Sequence, residues 1–252
     1  MIPEGQPQLS VQTGSFEMLA GDDKQVTFGV LDAEGPIDGA DVHVWLRDLE
    51  GAVLAGPQEA TFFDAAEIGG IGMYAARFDL PPGRSELVAA VGDAFGASVL
   101  NVATPETSAL LAPGDAAPPA PTPTVGDDLG YEAVCTQDPP CGMHEVSLDD
   151  ALAAGRPAVV VFATPAYCQT AVCGPVVETV DQVRRDFDGG EAAWIHVEIY
   201  RDAGRTLADA VQSWELPTEP WLFTVGADGI IVDRMDGPML PDAVEELVSE
   251  IV

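Results

Sequence analysis

The stretch from 104 to 130, TPETSALLAPGDAAPPAPTPTVGDDLG, carries six prolines among alanine, threonine and glycine. Proline lacks a backbone N–H and holds φ near one value, so this run can form neither a packed helix nor a central strand. It is read as a Pro/Ala-rich, extended and semi-rigid linker that divides the chain. With 252 residues, 47% of them hydrophobic and 21% charged, there is enough chain and apolar side chain for two domains of ordinary size. They are expected over 7–103 and 131–252.

The first part reads as all-β. QVTFGVL (25–31), ADVHVWL (40–46), MYAARFDL (73–80), SELVAAVG (85–92) and ASVLNVA (97–103) alternate or run apolar between Gly, Pro and Asp. Short strands at that spacing predict a sandwich. The segment GIGMYAARFDLPPGRSELVAAVGD to ASVLNV resembles the small immunoglobulin-like envelope domains of the YtkA and FixH type. That resemblance implies an immunoglobulin-like β-sandwich and a partner in the envelope. His43 and Trp45 share a strand face by the period-2 rule and are read as half-buried strand residues without chemistry.

The second part changes period. SLDDALAAG (147–155) reads as a helix opened by Ser147, and PAVVVFAT (157–164) as a strand buried on both faces. Val176, Val180, Val183 and Phe187 repeat at helical spacing, and AAWIHVEIY (192–200) is a second strand. A helix over 206–214, a hairpin turning at GADG and a final amphipathic helix, LPDAVEELVSEIV, complete the pattern.

Four cysteines fall as two close pairs, Cys135 with Cys141 and Cys168 with Cys173. Even numbers at short spacing suit disulfides in an oxidising compartment, or redox and metal chemistry in a reducing one. Cys135 and Cys141 flank TQDPP, a tight loop that a structural disulfide can close, and a second redox pair is the alternative. Cys168 and Cys173 lie between a strand and a helix, where unpaired N–H groups stabilise a thiolate. Five residues apart on one regular helix, they would point about 140° away from each other. If Pro175 instead sits in the first helical turn, CQTAVCG becomes a loop that can join the sulfurs. The two placements favour different nucleophiles, so the roles within the pair stay open.

The strand, the cysteine pair after it and LPTEPWLFTVGADGIIV together resemble the thioredoxin fold, in its extracytoplasmic TlpA-like and redoxin-like branch, over about 130–252. The resemblance implies an α/β thioredoxin-like domain, a cis-proline at Pro220 shaping a substrate groove, and thiol-disulfide exchange through Cys168 and Cys173. It implies protein thiols or disulfides as substrates, an electron donor or acceptor of unstated identity, and no cofactor or metal.

Two other redox readings stand beside it. Thr164-Pro165 ahead of Cys168, with Arg201 or Arg205 as cation, resembles a peroxiredoxin-type thiol peroxidase. A Sco-like copper protein would draw on Met143, His144 or His196. A non-catalytic scaffold with a permanent bridge is the fourth reading.

Charge narrows the partners. With 42 acidic against 10 basic residues, and Lys24 the only lysine, the chain lacks the clustered cations that bind phosphate, so nucleic acid is not an expected partner. The opening MIPEGQPQLS has neither the charged nor the apolar region of a signal peptide. The paired cysteines point to an extracytoplasmic or cell-envelope location, with any anchor supplied by a segment absent from this chain.

Overall fold

The computed structural model describes residues 2–3, 5–64, 72–168, 172–187 and 192–252. It divides into two compact units, Met1–Thr107 and Ser108–Val252.

The first unit holds two sheets. Strands β1 (Ser10–Thr13), β3 (Gly21–Leu31), β7 (Met73–Leu80) and β6 (Thr61–Phe63) form one, in that order. The other runs β2 (Met18–Leu19), β9 (Ala94–Ala103), β8 (Gly83–Val91), β4 (Val42–Asp48) and β5 (Val53–Glu59). Every pairing is antiparallel except that of β2 with β9.

Alternation explains the core of this unit. Val26, Phe28 and Val30 from β3 meet Val42, Val44 and Leu46 from β4 and Leu87 and Ala89 from β8 in one cluster. The opposite face of the second sheet is also covered, because Trp45 packs with Val88, Ala90 and Phe95. His43, two residues before Trp45 on the same face, is exposed. Neither is half-buried as expected, since Trp45 is 5% exposed.

The second unit is built on one four-stranded sheet ordered β11-β10-β12-β13. These strands are β10 (Ala158–Phe162), β11 (Ala193–Val197), β12 (Trp221–Val225) and β13 (Ile231–Asp236). β10 is central and wholly buried, as a continuous apolar run requires. Helices α1 (Leu148–Ala153) and α3 (Asp209–Ser213) contribute to the core on one face, which contains Phe162, Trp214 and Phe223. Helices α2 (Cys173–Asp186) and α4 (Pro241–Ser249) close the other face through Val176, Val180, Val244 and Val248.

The fold class expected from the sequence, an immunoglobulin-like sandwich followed by a thioredoxin-like α/β domain, is corrected by this arrangement. Strand accounts for 38% and helix for 14%, in three sheets, so the chain is mostly β. The βαβαβ arrangement is missing: among the described residues no strand precedes α1 beside β11, which stands at the sheet edge. Only β10 and β11 are parallel, whereas β12 and β13 run antiparallel to their neighbours. Among the described residues, the chain beside β11 is the irregular loop after Cys141, joined to the strand at the Met143 carbonyl, and Pro139 and Pro140 just before it lack the N–H groups a ladder needs.

That stretch nevertheless packs. Residues 108–130 belong to the second unit, with Ala112, Ala117, Ala120 and Thr122 buried. Gly114 N–H donates to the Ile231 carbonyl and Ile231 N–H to the Asp115 carbonyl, both at 2.9 Å, covering part of the β13 edge. Ser147 occupies the N-cap of α1 but makes no cap bond. Its hydroxyl accepts from Thr122 N–H at 2.8 Å, while the Thr122 hydroxyl accepts from Leu148 N–H at 3.0 Å. A residue of the proline-rich stretch thus satisfies the helix terminus.

Candidate functional site

Strand β10 ends at Phe162, and the chain loops through Cys168 before α2 begins at Cys173. Pro175 therefore falls in the first helical turn, where its missing N–H has no intrahelical partner to lose. Residues 169–171 lie outside the described residues. The backbone N–H of Cys173 donates to Cys168 Sγ at 3.4 Å. Cys173 itself is fully buried, whereas Cys168 is half-buried.

A third group completes this cluster. A carboxylate oxygen of Glu219 and the two sulfurs all lie within 4.8 Å of one another. The Glu219–Pro220 peptide bond is cis, and buried Pro220 leads directly into β12. The Cys168 sulfur and burial push the Cys173 thiol well above its ordinary range, so it stays protonated. Burial and the charge on Cys168 raise the Glu219 carboxyl in the same way.

The raised Glu219 carboxyl makes stability depend on pH. Its contribution to stability is fully present below its ordinary value of 4.5 and is lost as pH rises through the higher folded value. Glu219→Gln removes that loss, so its stability relative to the native chain should improve from acid to neutral pH in urea unfolding. The same substitution should lower the pH midpoint of Cys168 alkylation, because a neighbouring negative charge disfavours the thiolate. An unchanged midpoint would show that Glu219 does not sense Cys168.

The other cysteine pair gathers a different set of side chains. Cys135 Sγ and Cys141 Sγ are 3.7 Å apart. His196 Nδ1 on β11 lies 3.7 Å from Cys135 Sγ and 3.4 Å from Cys141 Sγ. The His144 ring stacks obliquely on that of His196, centroids 5.0 Å apart. Contact between the thiols pushes Cys135 down, and the same contact with burial pushes Cys141 up. Burial opposes a charged His196, but Cys135 and Glu198 leave its imidazole above the ordinary range.

The backbone explains this convergence. Met143 carbonyl accepts from His196 N–H at 2.9 Å, so the loop after Cys141 lies along the edge strand β11. Gly142 N–H donates to Asp181 Oδ1 at 3.2 Å, tying the loop to α2 as well. Arg184 and Arg185 hold the Asp181 carboxyl in place at 2.8 and 2.7 Å. Burial resists its charge, yet the two arginines keep it below the usual carboxylate range.

Of the residues of the other redox readings, Thr164 meets Cys173 through its backbone and Met143 packs in the same hydrophobic cluster, whereas the arginines and histidines are engaged with other partners. Arg201 engages Asp209 at 3.4 Å and lies over the Tyr131 ring at 5.4 Å, and Arg205 pairs with Asp202 at 3.7 Å. His144 and His196, the histidines of the copper reading, stand with Cys135 and Cys141 instead. Sequence reasoning missed Glu219, whose only signal is its place immediately before Pro220. It also missed the joining of both histidines to the first cysteine pair.

No protein-family model matches the chain, and no curated protein matches it significantly. Among the described residues, no helix is long and apolar enough to cross a membrane.

Proposed function

We propose that the protein is a thiol-disulfide oxidoreductase acting through Cys168 and Cys173. The observation that carries this reading is the Cys173 N–H, at the start of α2, donating to Cys168 Sγ beside a thiol held protonated. A sulfur that accepts a helix N-terminal donor is stabilised as thiolate, and thiolate is the attacking species. Cys168 is therefore the nucleophile and buried Cys173 the resolving thiol.

In the reducing direction, the Cys168 thiolate attacks a substrate disulfide, forming a mixed disulfide and expelling one substrate thiolate. Cys173 then gives up its proton, its sulfur attacks Cys168 Sγ, and the second substrate thiolate leaves. The substrate gains two electrons and the pair becomes a disulfide. Glu219 is placed to accept the Cys173 proton, its raised affinity for a proton matching that role. A dithiol donor of separate origin reduces the pair again. The acidic surface favours protein substrates with neutral or basic faces. An extracytoplasmic or envelope setting, with a partner held by the first unit, completes the reading.

The test is a redox titration of the Cys168 and Cys173 pair in a Cys135→Ser/Cys141→Ser chain, read by alkylation and mass. A reversible two-electron transition between about −120 and −270 mV supports exchange. A bridge below about −300 mV would mean a structural scaffold instead.

A further inference from the structure

Cys135, Cys141, His144 and His196 place one donor atom each within 4.8 Å of the others. We propose that these four residues bind a tetrahedral divalent transition metal, with Zn2+ as the physiological ion, in a site separate from the exchange pair. Zn–S bonds of about 2.3 Å and Zn–N bonds of about 2.0–2.1 Å give tetrahedral S···S edges of about 3.8 Å and S···N edges of about 3.5 Å. The observed edges are 3.7 Å between the sulfurs and 3.7 and 3.4 Å from them to His196 Nδ1. A disulfide would instead require the sulfurs to close to about 2.05 Å.

The histidines carry the argument past spacing. His196 Nε2 lies 3.1 Å from the Ala163 carbonyl, which can only accept, so Nε2 bears a hydrogen, and loss of the other proton to a bound cation leaves the lone pair on Nδ1, the nitrogen that faces the sulfurs. Imidazole ligands are commonly oriented in this way, by a carbonyl on the far nitrogen. His144 is 3% exposed, and among the described residues neither ring nitrogen has a hydrogen-bond partner. Two orphaned nitrogens on a buried imidazole are costly unless something else is bound there. Two thiolates and two neutral imidazoles also balance the charge of a divalent ion.

The site would staple the loop carrying Cys135, Cys141 and His144 to edge strand β11. Thr136, next to Cys135, donates its N–H to Glu198 Oε1 at 2.6 Å and accepts at its hydroxyl from Ala166 N–H at 3.1 Å. The metal thus anchors a loop that touches the segment leading to Cys168. Its four protein ligands leave no open position, which marks a structural ion.

The test uses the full chain, reduced, stripped with chelator and titrated with Co2+ alone. One ion per chain should bind with the ligand-field bands of tetrahedral Co2+ and thiolate-to-cobalt charge transfer, and Zn2+ should displace it. The signal should persist in Cys168→Ser/Cys173→Ser, vanish in Cys135→Ser/Cys141→Ser, and weaken more than about 100-fold in His144→Ala. The unmutated chain provides a check free of folding defects: Zn2+ should protect Cys135 and Cys141 from alkylation while Cys168 stays reactive. Binding that survives loss of Cys135 and Cys141 would overturn the proposal. So would absence of binding, or a Cys135–Cys141 disulfide that forms despite bound Zn2+. Because the exchange pair is deleted in one arm, failure here leaves the redox reading untouched.

Discussion

Cys173→Ser is expected to accumulate a mixed disulfide between Cys168 and substrate protein, whereas Cys168→Ser should lower exchange turnover by about 10³-fold or more. The asymmetry follows from placement. Cys168 is half-buried and accepts the Cys173 N–H at the start of α2, so it can meet a substrate disulfide. Cys173 is fully buried and can meet only what is already attached to Cys168. Serine at 173 keeps the backbone donor but removes the sulfur that resolves the intermediate, so the first step proceeds and the second does not. Non-reducing electrophoresis followed by mass spectrometry of the adduct reads the outcome. Adducts trapped through Cys173 in a Cys168→Ser chain would reverse the roles, and adducts in neither variant would remove the mechanism.

Trp214→Ala should destabilise the second unit by about 3–5 kcal/mol. Trp214 is 1% exposed and packs its ring at a tilt against Phe162 and edge-on against Phe223, with centroids 4.9 and 4.8 Å away. Its indole N–H also donates to the Pro118 carbonyl at 2.9 Å, so it holds the proline-rich stretch as well as the sheet. Alanine leaves a cavity and an unpaired carbonyl together. Trp214→Phe keeps much of the ring and should cost less, with the lost hydrogen bond contributing about 1 kcal/mol. Denaturant midpoints at constant slope measure both, and hydrogen exchange around Gly114 and Ala117 should rise in the alanine variant. A loss under about 1 kcal/mol would mean that residues 108–123 are not docked through this ring.

The candidate site was only partly legible in the sequence. Cys168 and Cys173 stand out because two thiols between an apolar strand and a helix are rare and local. Their roles were not legible, since they depend on whether the helix is already under way at Gln169 or starts with Pro175 in its first turn. The structure starts it at Cys173 and turns that N–H to Cys168. Glu219 is 46 positions beyond Cys173 and reaches the pair only because β12 lies beside β10. His196 reads as an ordinary strand residue until β11 is seen at the sheet edge with the Cys141 loop along it.

Periodicity and composition by themselves determined β3, β4, β7, β8 and β9 of the first unit, though not β1, β2, β5 or β6, together with the central burial of β10 and the helical face of α2, because side-chain alternation is a local property. They also determined that prolines keep 104–130 out of regular structure. What only the tertiary structure decided was where that stretch goes and what the sheets become. Backbone donors at Gly114 and Thr122 find partners at β13 and α1, and beside β11 the loop after Cys141 stands where a further strand would run. Pairing across a sheet depends on groups far apart in the chain, and no local pattern of residues records which edge they will meet.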